Sequence, residues 1–510
     1  MQNDSNNSSW ISERIRPDQI EKYLGDGGVD FIPDDKINDM IGDARTVSAA
    51  DDKTRVREII SKSLSVQTLA PEETAILLNV KDSELIDEME SAAGAIKKKV
   101  YDNRIVTFAP LYVSTVCVNN CQYCGMRASN ESLTRGVLTL DELRAEIEVL
   151  AGQIGHKRLI VVYGEHPKSG IDYMLSTIET IYKTEVPIKN RPSRKASIRR
   201  VNVNAAPMQI EELSQLNKAG LGTYQVFQET YHKETYAALH PSNTLKGNYK
   251  WRLYCMHRAL EAGIDDVGIG ALFGLYNWKF EVMGLLHHAI ELEKRFGIGP
   301  HTVSFPSLQT AENTPFVNEK QSKYLVSNTD LRRAITVIRL SIPYTGMILT
   351  ARENAELRKT LVSLGIITQT DASSNVGLGA YNRAKGAEIQ ESTRQQFILG
   401  DTRSLDEVVR EFAKMGCITS FCTAGYRCGR TGECIMDLLR TGAEGKFCKL
   451  NAVITFREWL DDFASEETKA AGELVIAKEI EELKTAVPKV YDTFLDYYKR
   501  TVGGERDLYF

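Results

Sequence analysis

Three cysteines crowd into eight residues in the stretch Cys117-Val118-Asn119-Asn120-Cys121-Gln122-Tyr123-Cys124. Thiolates at such close spacing hold iron–sulfur clusters. A cubane that takes only three ligands from the protein keeps one iron open, and that corner is where a small molecule can be bound and changed. The competing use of clustered thiols is a structural zinc site, which closes its tetrahedron with four protein ligands. No other Cys or His stands within thirty residues of the triplet, so a local fourth ligand is missing.

The Cys-x3-Cys-x2-Cys spacing, with an aromatic residue before the last cysteine, resembles the signature of the radical S-adenosylmethionine (SAM) superfamily. The resemblance implies a 4Fe-4S cluster on Cys117, Cys121 and Cys124 whose open iron chelates the amino and carboxylate groups of SAM. Tyr123 would then lie against the adenine; an aromatic that merely packs the loop is the alternative.

The elements that must position these residues show in the patterning. An apolar run (Phe108, Leu111, Val113) predicts a buried strand just before the triplet. Further strands are expected at residues 159–163, 201–204, 224–227, 267–272, 302–305, 344–349 and 366–370, with helical stretches such as 140–154, 210–219, 254–262 and 357–364 between them. This alternation predicts an α/β fold, a parallel (β/α)8 barrel of the TIM type, whose usual size is about 250 residues. Active-site groups of that fold gather at the C-terminal ends of the strands.

Other candidates obey the same rule. Gly164-Glu165 follows the second strand; the glycine lets backbone approach a ligand, and the carboxylate could accept from the SAM ammonium. Glu229 follows the fourth strand, and Arg252 opens the next helix, where a guanidinium could grip the SAM carboxylate through two parallel hydrogen bonds. Gly268 and Gly270 on the fifth strand would let the backbone run beside adenine. Each is weak taken singly, and Glu165, Glu229 or Arg252 alone reads equally well as a surface or structural ion pair; their shared rim carries the functional reading.

Three regions are expected: an N-terminal helical extension (1–105), the barrel (106–395) and a C-terminal, mainly helical, Cys-rich domain (396–510). Residues 1 to about 65 read as a peripheral helical or partly loose extension, and Pro71-Glu72-Glu73 as a helix start. Ser404 with Glu407 resembles a capping box. Cys417, Cys422, Cys428, Cys434 and Cys448 then follow, interspersed with Gly425, Gly429 and Gly432, which suit turns around a bound object, before a final helix over 467–499. The basic stretch Lys189, Arg191, Arg194, Lys195, Arg199 and Arg200 precedes the third strand and reads as a solvated loop on the far rim. Cys255 reads as a buried hydrophobe.

Apolar content of 42%, charged content of 26% and a net charge of −5 are ordinary globular values and give no reason to expect nucleic acid or an anionic membrane as partner. No apolar run reaches the roughly twenty residues a membrane span needs, and the polar N-terminus is unlike a secretory signal. A cytoplasmic protein is expected, in which nine cysteines point to metal ligation over disulfides.

Further segments sharpen the family resemblance. Phe227-Gln228-Glu229-Thr230-Tyr231-His232, residues 262–270, Gly299-Pro300-His301-Thr302, Pro343-Tyr344-Thr345-Gly346-Met347-Ile348-Leu349 and the tail running from Ser420 to Glu433 look like the radical SAM tyrosine lyase family of [FeFe]-hydrogenase maturation, over about residues 70–465. The resemblance implies cleavage of the Cα–Cβ bond of L-tyrosine to p-cresol and dehydroglycine (2-iminoacetate). It implies a reductant protein such as ferredoxin or flavodoxin, other maturation proteins as partners, and a second, auxiliary iron–sulfur cluster where dehydroglycine becomes CO and cyanide. The chain departs from that pattern in three places: Gly425 replaces the second of three auxiliary-cluster cysteines, Ser307 stands where an arginine is expected, and Thr402 stands in place of a histidine. Cys422 and Cys448 match the remaining ligands. Either Cys428 or Cys434 supplies the third, with Cys428 the first choice, or the enzyme stops at dehydroglycine. A radical SAM enzyme on another amino acid, a 2-iminoacetate synthase of thiamine synthesis and an iron–sulfur carrier are the alternatives.

Overall fold

A computed structural model describes residues 10–384, 389–428, 432–441 and 443–510. In chain order its strands are β1 (Arg104–Ser114), β2 (Arg158–Tyr163), β3 (Glu185–Ile188), β4 (Arg191–Ser197), β5 (Arg200–Asn204), β6 (Tyr224–Gln225), β7 (Val267–Gly270), β8 (Thr302–Ser304), β9 (Gly346–Leu349), β10 (Gln369–Asp371) and β11 (Ile418–Ser420). The strands β1, β2 and β5 to β10 are parallel neighbours in that order, and β10 pairs with β1, closing an eight-stranded barrel. All eight expected barrel strands are present. The runs of β1, β2 and β9 are largely apolar because both faces are covered, by packed side chains within and by helices outside, whereas β5, β6 and β10 also carry polar residues such as Asn202, Gln225 and Gln369; every residue of β7, β8 and β9 is buried. Inside, Phe108 of β1, Ile160 of β2 and Ile348 of β9 form a small apolar cluster.

The N-terminal extension is helical, one of the two expected forms, and where the other was a partly loose segment its described residues are packed on the barrel. Ile20, Tyr23, Ile32 and Ile37 are buried, Arg14 pairs with Glu212, and Gln19 donates to Glu211. Pro71 opens the helix Pro71–Asn79 as expected, and the Glu73 carboxylate accepts from the Ala70 N–H at 2.8 Å.

The strands β3 and β4 form an antiparallel hairpin where a solvated loop was expected. Its basic residues have partners: Arg194 meets Asp462 at 2.8 Å, and the neighbouring Arg199 meets Asp507 at 3.1 Å and Glu458 at 3.5 Å. The stretch is thus largely a docking edge for the C-terminal region. A second attachment is β11, which lies parallel to β1 along Arg104–Val106, at the end of the barrel away from the strand C-termini. Ser404 caps the helix Leu405–Lys414 reciprocally with Glu407. The single final helix expected over 467–499 is two, Glu466–Ala486 and Tyr491–Val502, because Pro488 cannot continue a helix and restricts the residue before it.

Between barrel and tail, residues 389–401 run back across the open end. Their backbone accepts from Thr134 N–H (Thr393 carbonyl, 2.8 Å) and Gly125 N–H (Gln396 carbonyl, 3.1 Å), so the expected junction at 395/396 falls inside a segment that closes the site. Among the described residues no helix is long and apolar enough to cross a membrane.

Candidate active site

The C-terminal ends of the barrel strands surround a cavity of about 210 Å³ whose walls include Cys117, Cys121 and Cys124. The cysteine loop is held by its backbone: Val118 N–H donates to the Glu165 carbonyl at 2.8 Å and Ala128 N–H to the Asn119 carbonyl at 2.7 Å. Two glycines permit close approach, since a Cβ on Gly164 would fall 2.0 Å from the Val116 carbonyl oxygen and one on Gly125 would fall 2.5 Å from that of Gln396. Burial raises the Cys117 thiol and pushes Cys121 up to about 12, so both stay protonated until a cation displaces the proton.

Two amide donors are aimed at the sulfurs: Asn119 Nδ2 lies 3.7 Å from Cys117 Sγ, and Gln396 Nε2 3.4 Å from Cys124 Sγ. Three thiols on the wall of one cavity, two of them facing N–H donors, form a donor set that fits a cubane with one open iron. Among the described residues no three His, Cys, Asp or Glu side chains converge as a single ion would require, whereas cluster cysteines sit on separate irons.

The neighbouring wall carries charges of both signs. Glu229 adopts a left-handed backbone (φ 72°), unusual for a residue with a side chain, and its carboxylate accepts from Lys246 Nζ at 2.6 Å and Arg252 Nη2 at 3.2 Å. Burial opposes its charge, yet Lys246 and Arg252 outweigh it and hold Glu229 down to about 2. The Asn248 side chain caps the short helix Tyr249–Leu253, which delivers Arg252; Arg252 Nε donates to the Phe227 carbonyl at 2.6 Å. Glu165 accepts from Asn119 Nδ2, and burial raises its pKa. Tyr123 Oη donates to His240 Nε2 at 2.8 Å, because the His240 Nδ1 proton is engaged by the Tyr236 carbonyl. Burial drives His240 down to about 3 and keeps it neutral.

Tyr123, Gly164, Glu165, Glu229 and Arg252 therefore share one cavity with the triplet. Gly268 and Gly270 do not line it: the space a Cβ would need is taken by Gln225 and Thr302 at one, by Phe227 and the Ser304 carbonyl at the other. Sequence reasoning missed Lys246, Asn119, Gln396 and Arg352. Arg352, just after β9, stacks 3.4 Å over the Phe397 ring at the cavity wall. Burial lowers its pKa, and among the described residues its guanidinium has no carboxylate within 4 Å. Ser307 points elsewhere: its N–H and Oγ both donate to Glu353 at 2.7 Å, outside the cavity. Thr402 is exposed.

At the other end, Cys422 and Cys448 are buried while Cys428 and Cys434 are exposed. Cys422 follows β11, and its carbonyl accepts from Arg158, the first residue of β2, at 3.2 Å. Gly425 lies in the short helix Ala424–Arg427, and Cys428 Sγ is 4.0 Å from the Phe510 carbonyl oxygen. Gly429, Arg430 and Thr431 are outside the described residues. Cys255 is buried, as expected.

Residues 111–286 match the Radical SAM superfamily and residues 304–418 the Biotin and Thiamin Synthesis associated domain. The crystal structure of HydG, a maturase of the [FeFe]-hydrogenase, is 44% identical, with a TM-score of 0.85 over 94% of this chain and all of that one. HydG from Carboxydothermus hydrogenoformans is 34% identical, with a TM-score of 0.70 over 92% of this chain and 99% of that one. The 2-iminoacetate synthase of Escherichia coli K12 is 28% identical over 325 residues, covering 63% of this chain and 80% of the synthase.

Proposed function

Because the chain belongs to the HydG family of radical SAM proteins, we propose that it is a carbon–carbon lyase that splits the Cα–Cβ bond of L-tyrosine into p-cresol and dehydroglycine, serving [FeFe]-hydrogenase maturation. The observation that carries this reading is the single cavity in which the cysteine triplet faces Glu165, Glu229, Lys246, Arg252 and Arg352. Such a wall suits two zwitterionic amino acids, the methionine end of SAM and the substrate.

A 4Fe-4S cluster with SAM at its open iron supplies, when bound, a 5′-deoxyadenosyl radical. The chain's own residues bind, orient and shield. Cys117, Cys121 and Cys124 would hold the cluster. Arg252, fixed by Glu229 and the Phe227 carbonyl, would offer its remaining N–H groups to the SAM carboxylate, Glu165 would accept from the ammonium, and Tyr123 would pack on the adenine. Arg352, stiffened by Phe397, grips the tyrosine carboxylate. Tyrosine would give one hydrogen atom to the 5′-deoxyadenosyl radical, leaving 5′-deoxyadenosine; its Cα–Cβ bond then breaks to dehydroglycine and a 4-hydroxybenzyl radical, which takes an electron from the reductant protein and a proton to become p-cresol. Leu272 and Phe397, both buried, help keep water from these species.

A second iron–sulfur cluster held by Cys422, Cys448 and Cys428 completes this reading. What supports it is the burial of two thiols at the barrel end opposite the cavity. Electrons come from a reductant protein such as ferredoxin or flavodoxin, in the cytoplasm. Gly425 favours a second reading, in which the third thiolate is lacking and the reaction ends at dehydroglycine. Anaerobic turnover with carboxylate-labelled tyrosine separates the outcomes. We expect p-cresol, with label in CO for the first reading and in dehydroglycine or its hydrolysis product for the second. SAM cleavage without p-cresol would refute tyrosine as substrate, and intact SAM would leave only a carrier.

A further inference from the structure

We propose that Tyr112 and Gln396 form a hydrogen-bond relay that ties the reduction potential of the cluster on Cys124 to occupancy of the cavity by the substrate. The inference rests on the reading of the triplet as cluster ligands. Gln396 Nε2 lies 3.4 Å from Cys124 Sγ, and its Oε1 accepts from Tyr112 Oη at 2.6 Å. Tyr112 is 4% exposed and lines the cavity at the end of β1. The three groups are therefore linked in sequence, Tyr112 to Gln396 to the Cys124 sulfur, along the wall of the cavity.

Donor and acceptor chemistry fixes the direction of the relay. A cluster thiolate can only accept, so the amide N–H must face Cys124 and the amide oxygen must face Tyr112. That oxygen can only accept in turn, which commits the Tyr112 proton to Gln396. The lone pairs of Tyr112 Oη are left for the cavity, where a substrate N–H or O–H can donate to them. Hydrogen bonds in a chain polarise one another. A donor arriving at Tyr112 strengthens the bond to Gln396, and the amide N–H then leans harder on the sulfur. Reduction adds negative charge to the cluster, so a stronger N–H···S contact favours the reduced state. Substrate binding thus makes the cluster easier to reduce, and by linkage the reduced cluster binds substrate more tightly.

The side chain of Gln396 can be changed without cutting its segment loose. Its main chain is anchored separately, through Gly125 N–H to the Gln396 carbonyl at 3.1 Å and Gln396 N–H to the Val376 carbonyl at 3.2 Å. The test is an EPR-monitored redox titration of the reconstituted full chain, with and without saturating L-tyrosine, for wild type, Gln396→Leu and Tyr112→Phe. At a fixed poise we expect tyrosine to raise the reduced-to-oxidised ratio of the wild type several-fold. Gln396→Leu should lower that ratio about tenfold, equivalent to about 59 mV for one electron, and should not respond to tyrosine. Tyr112→Phe should lose the response. Wild-type titration by Gln396→Leu, or a retained response in Tyr112→Phe, would overturn the relay. So would loss of iron in both variants, which would make the pair structural. Tyrosine that binds by calorimetry without moving the wild-type potential overturns the relay alone. Tyrosine that fails to bind removes the lyase reading, while the Gln396→Leu comparison still decides whether the N–H···S contact sets the potential.

Discussion

In the proposed reaction, Arg352 is the residue on which substrate choice should turn. Its guanidinium is immobilised on Phe397 and is uncommitted to any carboxylate among the described residues, so a charge-assisted pair with an incoming amino acid carboxylate is available at small entropic cost. Replacing it with Gln should raise the KM for tyrosine about 10- to 100-fold, the range of one hydrogen bond to a charged group, while the apparent affinity for SAM stays within about twofold; steady-state kinetics in each substrate checks both. Cys121→Ala should abolish SAM cleavage, because the cubane loses a third of its protein anchors; turnover at the wild-type rate would contradict the assignment. The triplet was readable because its meaning is local, three thiols in one loop. Lys246, Asn119, Gln396 and Arg352 were not, because their roles exist only once the barrel sets Glu229 beside one turn and Cys124 beside a segment some 270 residues downstream.

The loop after β6 shows how an element presents a side chain. Glu229 sits in the left-handed region, and the next two residues are pinned by the helix Trp278–Phe296: Thr230 Oγ1 and the Tyr231 N–H both meet the Glu281 carboxylate, at 2.5 and 2.9 Å. Glu281 is fully buried, and burial pushes it up to about 8. A carboxyl with a native pKa above its unfolded value binds more protons folded than unfolded, so its contribution to stability falls as pH rises from about 4.5 to about 8. Glu281→Gln lacks that proton and should gain on the wild type across this window, by at most about 1.4 kcal/mol per pH unit. Denaturant unfolding at pH 5 and pH 8 measures it; parallel curves for the two proteins would show that Glu281 does not titrate there. Of the eight barrel strands, β1, β2 and β9 were legible as near-continuous apolar runs, while β5, β6 and β10, with Asn202, Gln225 and Gln369 among their residues, were legible through the alternation with the helices around them. The hairpin of β3 and β4 carries Arg-Pro-Ser-Arg-Lys in place of such a run, and although Lys195 finds Glu185 within the hairpin, the acid that meets Arg191 and Arg194, Asp462, lies more than 250 residues away, so it read as loop.

Across the whole molecule, the two groups of cysteines lie at opposite ends of the barrel, one on the strand C-termini and one beside β11. They should therefore be separable. Reconstituted wild type should hold more than four irons, and Cys448→Ala should fall to about the four of one cubane while still cleaving SAM. An iron content unchanged by that substitution would remove the second cluster. The region's helical character and cysteines were legible in the sequence; its attachment through β11 and the arginines of the hairpin was not, since neither pairing has a local signal.

One strand bears on how the protein comes into being. β1 takes β10 along one stretch and β11 along another, and both leave the ribosome more than 250 residues after it. At 5–20 residues per second that is a wait on the order of tens of seconds. During it the main-chain N–H and C=O groups of β1 along that stretch stay unpaired and open to foreign strands. Translation that stops short of Ile418 should therefore give aggregated chains instead of a shorter maturase.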